Sequence, residues 1–376
     1  MTELKVDNIT NLAGSGKPNL PVAPTVGSNA AISTLNTHSY TSSGTEPSSP
    51  KNGALWWDSA NDKVMVYINS EFKEIELNAS SSSAVWYGDR AIFMAGYTGG
   101  TSVLNVIEYV AVATPGNTTD FGDLSSSKSG GSSCSNGTRA LYIGGNTNVI
   151  EYITTATTGN ATDFGDTSEN MNQNACLSDG TFGVTAGGYG GTTGGMINKI
   201  EYVTIANTGN SQDFGDLSAA SRWGRGASDA TRGLIAIGYT GSRADTIDYI
   251  TVATPGNATD FGNLLEPNMK MGAASDANRA LFMGGSANSS ADVNVIQYVT
   301  IQTTGNATDF GDLTESVYWP DATNDATYAL RAGGFDSPSY KQTIDRVTIQ
   351  TAGNAADFGD LIHAKMEHTA TSGAAS

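Results

Sequence analysis

The nine residues GNATDFGDL, 305–313, have near copies at 116–124 (GNTTDFGDL), 159–167 (GNATDFGDT), 209–217 (GNSQDFGDL), 256–264 (GNATDFGNL) and 353–361 (GNAADFGDL). Their phenylalanines, Phe121, Phe164, Phe214, Phe261, Phe310 and Phe358, stand 43 to 50 residues apart. A motif recurring at that period is the mark of one supersecondary unit per copy, stacked side by side because no unit can bury its apolar face alone.

Each copy is preceded by an alternating run, such as VIEYVAVAT from Val106, VIQYVTIQT from Val295 and TIDRVTIQT from Thr343. Period-two alternation of Ile, Val, Tyr and Thr predicts a half-buried strand. Further upstream lies a second apolar run closed by glycines, for example RALYIGG from Arg139 and RALFMGG from Arg279. Small-residue runs such as GAASDAN at 272–278 precede that, and TDFGDL supplies a last strand. The unit is therefore read as four strands.

Four strands per unit of this length predict the blade of a β-propeller. At residue level the unit resembles the kelch repeat. A di-glycine closes the second strand, the third carries Tyr109, Tyr152, Tyr202, Tyr249 or Tyr298, and the fourth carries an aromatic followed by Leu. It departs from kelch in having Phe where that family has Trp, and in Arg346 standing in place of the Tyr. The terminal TSGAAS, 371–376, copies GAAS of 272–275, whereas SSAVWYGDR before the first copy does not fit the pattern. The expectation is an all-β, six-bladed kelch-like propeller over residues 83–376, its ring closed by the C-terminal strand.

Residues 1–53 are rich in Pro, Ser, Thr and Gly and read as an extended attachment arm. Residues 54–80 hold three strand-like runs, ALWWDS, KVMVYI and FKEIEL, expected to form a small β-meander. LKVDNITNLAGSGKPNLP and NGALWWDSANDKVMVYINSEFKEI resemble the amino-terminal parts of tail-fibre and other virion proteins of tailed bacteriophages, notably marine and cyanobacterial ones. That resemblance implies a virion protein assembled in the host cytoplasm, with its arm held by other tail proteins and its distal part meeting a host surface glycan or protein. Fibres of that kind are often homotrimers.

Composition narrows the function classes. A net charge of −18 disfavours nucleic acid and anionic membranes, which call for clustered Lys and Arg. No apolar run approaches the 18 residues of a membrane-spanning helix, and MTELKVDNIT lacks a signal-peptide core. Cys134 and Cys176 have no metal-ligand spacing.

Chemistry is sparse. His38, His363 and His368 cannot furnish a repeated Ser/His/Asp site, and a single triad on the tail histidines is weighed against ordinary loop histidines. The DFGD carboxylates, such as Asp309 and Asp312, are paired as in glycosidases, but copies spread round a ring cannot converge on one bond. They read as turn caps, and no D-x-D-x-D-G calcium loop occurs. GGYGGTTGG at 187–195 lacks the Gly-Lys-Ser/Thr of a phosphate cradle, and the sequons Asn160-Ala-Thr and Asn257-Ala-Thr fall in the repeated turn. No enzymatic reaction, cofactor or metal is expected.

The repeats differ most in two sets of loops, those joining strands two to three and four to one, which alternation places on one face. Tyr97, Tyr189, Arg222, Trp223, Arg225, Tyr239, Tyr318, Trp319 and Tyr340 all fall there and are the candidate receptor-binding residues. Their competing roles are to plug a channel or to pack between blades. A receptor-binding tail protein is the reading, with a purely architectural virion protein or a polysaccharide-degrading enzyme as rivals.

Overall fold

The computed structural model describes residues 25–26, 30–31, 40–43, 45–50, 54–58, 63–68, 70–74, 86–191, 194–287 and 291–375. The chain divides into two compact parts, Met1–Ser82 and Ser83–Ser376. All regular structure among the described residues is β. Most of the expected arm, 1–53, lies outside the described residues.

In the N-terminal part the three expected strands are Leu55–Asp58, Lys63–Ile68 and Glu71–Glu74, paired antiparallel in that order. A fourth was not expected: Tyr40–Ser43, from the stretch read as arm, pairs in parallel with Leu55–Asp58. A parallel partner needs a long connection, and here it crosses a Ser/Pro-rich stretch that carries no strand pattern. Trp56 and Val66 are buried, and Phe72 meets the Trp56 and Tyr67 rings edge-on at 5.2 and 5.1 Å.

The C-terminal part consists of six four-stranded antiparallel modules. The fifth shows the plan: Gly272–Ser275, Arg279–Met283, Val295–Thr300 and Thr308–Asp312, each paired with the next. In the first module the order of the chain is broken. Its strands two to four are Arg90–Met94, Val106–Ala111 and Thr119–Asp123, while its first strand is Thr369–Gly373 from the far end of the chain. The tail thus enters the first sheet, but not in the register that the copied GAAS implied. Thr369 pairs with Met94 as Gly272 pairs with Met283, so TATS occupies the place of GAAS and the string identity was fortuitous.

The first strands, Thr369–Gly373, Ser132–Ser135, Ala175–Ser178, Arg225–Ser228, Gly272–Ser275 and Asp321–Asn324, adjoin one another in that order, and the sixth adjoins the first. The repeated motif makes these junctions. Each DFG phenylalanine is at most 3% exposed and packs into the apolar cluster shared with the next module, Phe358 reaching Phe93 and Val112 of the first. Burying a side chain of that size stabilises by about 2 kcal/mol. The glycine after it has φ between +147° and +153°, and a Cβ there would lie 2.2–2.5 Å from backbone of the next module's GN turn. Only glycine meets both demands.

The Asn of the same turn crosses the junction. Asn160 Oδ1 accepts the N–H of Asp123 at 3.0 Å, and Asn210, Asn257, Asn306, Asn354 and Asn117 repeat the bond round to Asp360. This corrects the reading of the DFGD carboxylates as turn caps: the first Asp of each stands exposed, and the cap comes from the neighbour's Asn. The loops between strands one and two are capped by other side chains, Asn136, Asp179, Asp229, Asp276 and Asp325, which accept backbone N–H groups two and three residues on.

A second crossing bond was not read from the sequence. The acid or amide of each third strand, Glu108, Glu151, Glu201, Asp248, Gln297 or Asp345, is at most 2% exposed and accepts the backbone N–H that follows the preceding module's DFG strand. Lys365 pairs with Glu108 at 2.6 Å, and Lys128 and Arg331 pair with Glu151 and Asp345.

The sixth module explains its missing tyrosine. Elsewhere an arginine opening strand two lies over the strand-three Tyr, as Arg279 does over Tyr298 at 4.5 Å. In the sixth the partners are exchanged, with Arg346 over Tyr328 at the same distance.

Candidate functional site

The variable loops gather at one end of the modules. Arg222 bridges Tyr239, Tyr97 bridges Met366 and Tyr318 bridges Phe335, each joining a four-to-one loop to a two-to-three loop. Two residues before each first strand stands a residue in the left-handed region: Gly130 (φ 71°), Gln173 (58°), Trp223 (61°), Lys270 (61°), Trp319 (55°) and Glu367 (54°). The N–H of Trp223 donates to Gln173 O at 2.9 Å, that of Lys270 to Trp223 O at 3.0 Å and that of Trp319 to Lys270 O at 2.9 Å. Gly130 donates to Glu367 O at 2.9 Å, carrying the chain of bonds across the junction with the first module.

Left-handed geometry at a bulky residue costs on the order of 1 kcal/mol and persists only where its surroundings enforce it. Here a backbone bond to the neighbouring module holds it. The consequence is that one side chain per module is delivered to a shared centre, and three adjacent ones are Trp223, Lys270 and Trp319.

The indoles of Trp223 and Trp319 meet edge-on at 6.1 Å. Lys270 Nζ lies 3.7 Å from the Trp319 ring centre, 4.4 Å from that of Trp223 and 5.1 Å from that of Tyr318. Arg222 covers the other side of Trp223, its guanidinium carbon 3.9 Å from that ring, 5.0 Å from Tyr189 and 5.3 Å from Tyr239. From Tyr318 the aromatic contacts continue through Phe335 (5.5 Å) to Tyr340 (4.8 Å) and Tyr97 (5.9 Å). Cation–π contacts of this kind contribute about 0.5–2 kcal/mol each.

Eight of the nine candidate residues therefore stand in one contiguous cluster. Arg225 is placed elsewhere: it is buried beneath the cluster, its Nε 3.2 Å from Asp321 Oδ1. Being the first residue of a first strand, it faces the space those strands enclose, and burial raises the Asp321 carboxyl although Arg225 opposes the shift. Lys270 and Phe335 were not singled out from the sequence. The signal for Lys270 was positional, the same offset before the first strand that Trp223 and Trp319 share.

Electrostatically the cluster is unusual for this chain. Burial drives the Lys270 ammonium down to about 8, with Glu367 opposing and Arg243 and Arg222 adding to the effect. Burial also lifts the Glu367 carboxyl above the ordinary range. Neither a protein-family model nor a curated protein matches the chain.

Below this cluster His368 is fully buried, with neither ring nitrogen hydrogen-bonded, and burial with nearby Lys365 holds it well below the usual imidazole range. Deeper, the first strands leave a space of about 60 Å³ lined by Ser135, Ser178, Ser228, Ser275 and Ser372, with Trp86 alongside. These hydroxyls bond to adjacent strands, as Ser275 Oγ does to Ser228 O at 2.7 Å. Cys134 and Cys176 are both free and buried. Among the described residues no three His, Cys, Asp or Glu side chains gather as a metal site.

Proposed function

We propose that this is a virion tail or tail-fibre protein of a tailed bacteriophage, built as a six-bladed kelch-like β-propeller whose variable-loop end binds a host surface glycan. The propeller reading is supported by the cyclic adjacency of the six first strands and by a junction chemistry repeated at all six boundaries. The phage reading is supported by the amino-terminal resemblance, which assigns residues 1 to about 80 to attachment.

The observation that carries receptor binding is the concentration of half-exposed aromatic rings and cations at one end of the modules, around Trp223 and Trp319. Flat apolar faces flanked by hydrogen-bond donors suit sugar rings, which present apolar C–H faces and polar edges. No reaction is required of such a site.

The test is binding of the full-length protein to a panel of bacterial envelope polysaccharides, alongside the phenotype of particles lacking it. Binding that disappears in Trp319→Gly supports the reading. Absence of binding, with particles that fail to assemble when the gene is deleted, would make the protein purely architectural. New reducing ends on incubation with polysaccharide would make it a degrading enzyme.

A further inference from the structure

Four other cations of this protein are deeply buried, and each has a carboxylate: Lys128 has Glu151, Lys365 has Glu108, Arg331 has Asp345 and Arg225 has Asp321. Lys270 breaks the pattern. Among the described residues its ammonium contacts only the rings of Trp223, Trp319 and Tyr318, with no hydrogen-bond acceptor and no ion pair. Arg222, on the opposite side of Trp223, likewise has no carboxylate within salt-bridge range among the described residues. Arg243, the third cation near Lys270, donates to Ser286 O and Oγ rather than to an acid.

Two unpaired cations on either side of one indole repel each other, and a half-buried ammonium without an acceptor forgoes strong charge-assisted bonds. Aromatic faces recover only part of that. An anion approaching from solvent supplies what the fold withholds. The chain's net charge of −18 means that such a ligand is held by local pairing and not drawn in from a distance.

We infer that the glycan is acidic: a carboxylate or sulfate group of the saccharide pairs with Lys270 between Trp223 and Trp319, a sugar ring lies against Trp319 and Tyr318, and Arg222 provides a second cationic contact. This rests on the glycan-binding reading and adds the charge class of the sugar.

The experiment is calorimetric titration of the full-length protein at pH 7 with oligogalacturonate, its neutral methyl ester and a sulfated dextran oligomer. The free acid or the sulfated oligomer is expected to bind at least tenfold more tightly than the ester, and which of the two does so identifies the anion. Lys270→Met should erase that preference, Lys270→Arg should retain part of it, and both should melt as the wild type does. Should Lys270→Met prove unstable, Arg222→Gln must reduce the acid preference instead.

Raising the pH from 7 to 9.5 should weaken acid binding as Lys270 loses its proton. The groups facing it are Arg222 and Arg243, which stay charged, Asp292 and Glu367, already ionised at pH 7 or above, and Tyr318, whose own range is pushed up by burial. Equal binding of acid and ester, abolished by Trp319→Gly, would overturn the acidic assignment and leave glycan binding standing. Failure to bind any saccharide would overturn both.

Discussion

The two ends of the C-terminal part are made by the same six modules, yet one end repeats itself and the other does not. At the repeated end a glycine, a phenylalanine and an asparagine do the same thing six times, each touching only the next module. At the variable end the backbone repeats just as faithfully, with a left-handed residue at every module, while the side chains differ completely: none, amide, indole, ammonium, indole, carboxylate. Uniform backbone with divergent side chains separates what holds the modules together from what they present.

Removing residues 369–376 attacks the frame common to both ends, and the largest effect is expected there. Strand Arg90–Met94 would lose its partner along five residue pairs and stand as an open edge, and the Phe358 cluster would lose Ala370. The truncated chain should show no cooperative melting transition and should self-associate, as read by near-ultraviolet circular dichroism and size exclusion. A sharp native-like melt would show that the tail strand is dispensable.

Gly215→Ala separates the ends at a single residue. Its Cβ would sit 2.5 Å from the backbone of Gly256, at φ +148°, so a loss of about 3 kcal/mol is expected in denaturant titration. Gly195→Ala in a two-to-three loop, where nothing lies within 4 Å of the added atom, should change stability by less than about 0.5 kcal/mol.

The repeated end was legible because its constraints are local and recur: a glycine needed by backbone geometry reappears at the same spacing, and strand alternation can be counted. The tail strand was legible in kind but not in register, since TATSG carries no alternation and only pairing with Arg90–Met94 fixes it. The Arg/Tyr exchange in the sixth module looked like a loss because its compensation, Tyr328, lies 18 residues from Arg346 on another strand. Lys270 was invisible for a further reason. Its neighbours Trp223 and Trp319 lie 47 and 49 residues away, and only the cyclic arrangement of modules brings them together.

His368 offers a pH readout of the layer beneath the variable end. Its folded-state affinity for protons is depressed, so the neutral form is the one the fold accepts. The contribution is intact above the ordinary imidazole range near 6.5 and is lost as pH falls through it, because the unfolded chain takes up a proton the native state refuses. Asp321 and Glu367, raised by burial, act in the opposite sense as pH falls, and comparison with His368→Leu subtracts them. Between pH 7 and pH 5 the wild type should lose more stability than the variant in parallel denaturant titrations. Identical slopes would mean that His368 ionises within the fold.

The smallest expected change in stability comes with the sharpest functional one. Trp319→Gly removes a half-exposed ring that contacts Trp223, Tyr318 and Lys270, and packing is lost with it. The same substitution relieves left-handed strain at φ 55°, where glycine is at ease, and leaves the backbone bond from residue 319 to Lys270 O in place. The two terms are each about 1 kcal/mol and of opposite sign, so the melting temperature should move little. Saccharide binding should fall at least tenfold, since the stacking face and one wall around Lys270 are gone. If stability drops by several kcal/mol instead, Trp319 belongs with the phenylalanines of the repeated end, as a part that holds modules together, and the division between the two ends fails at its central residue.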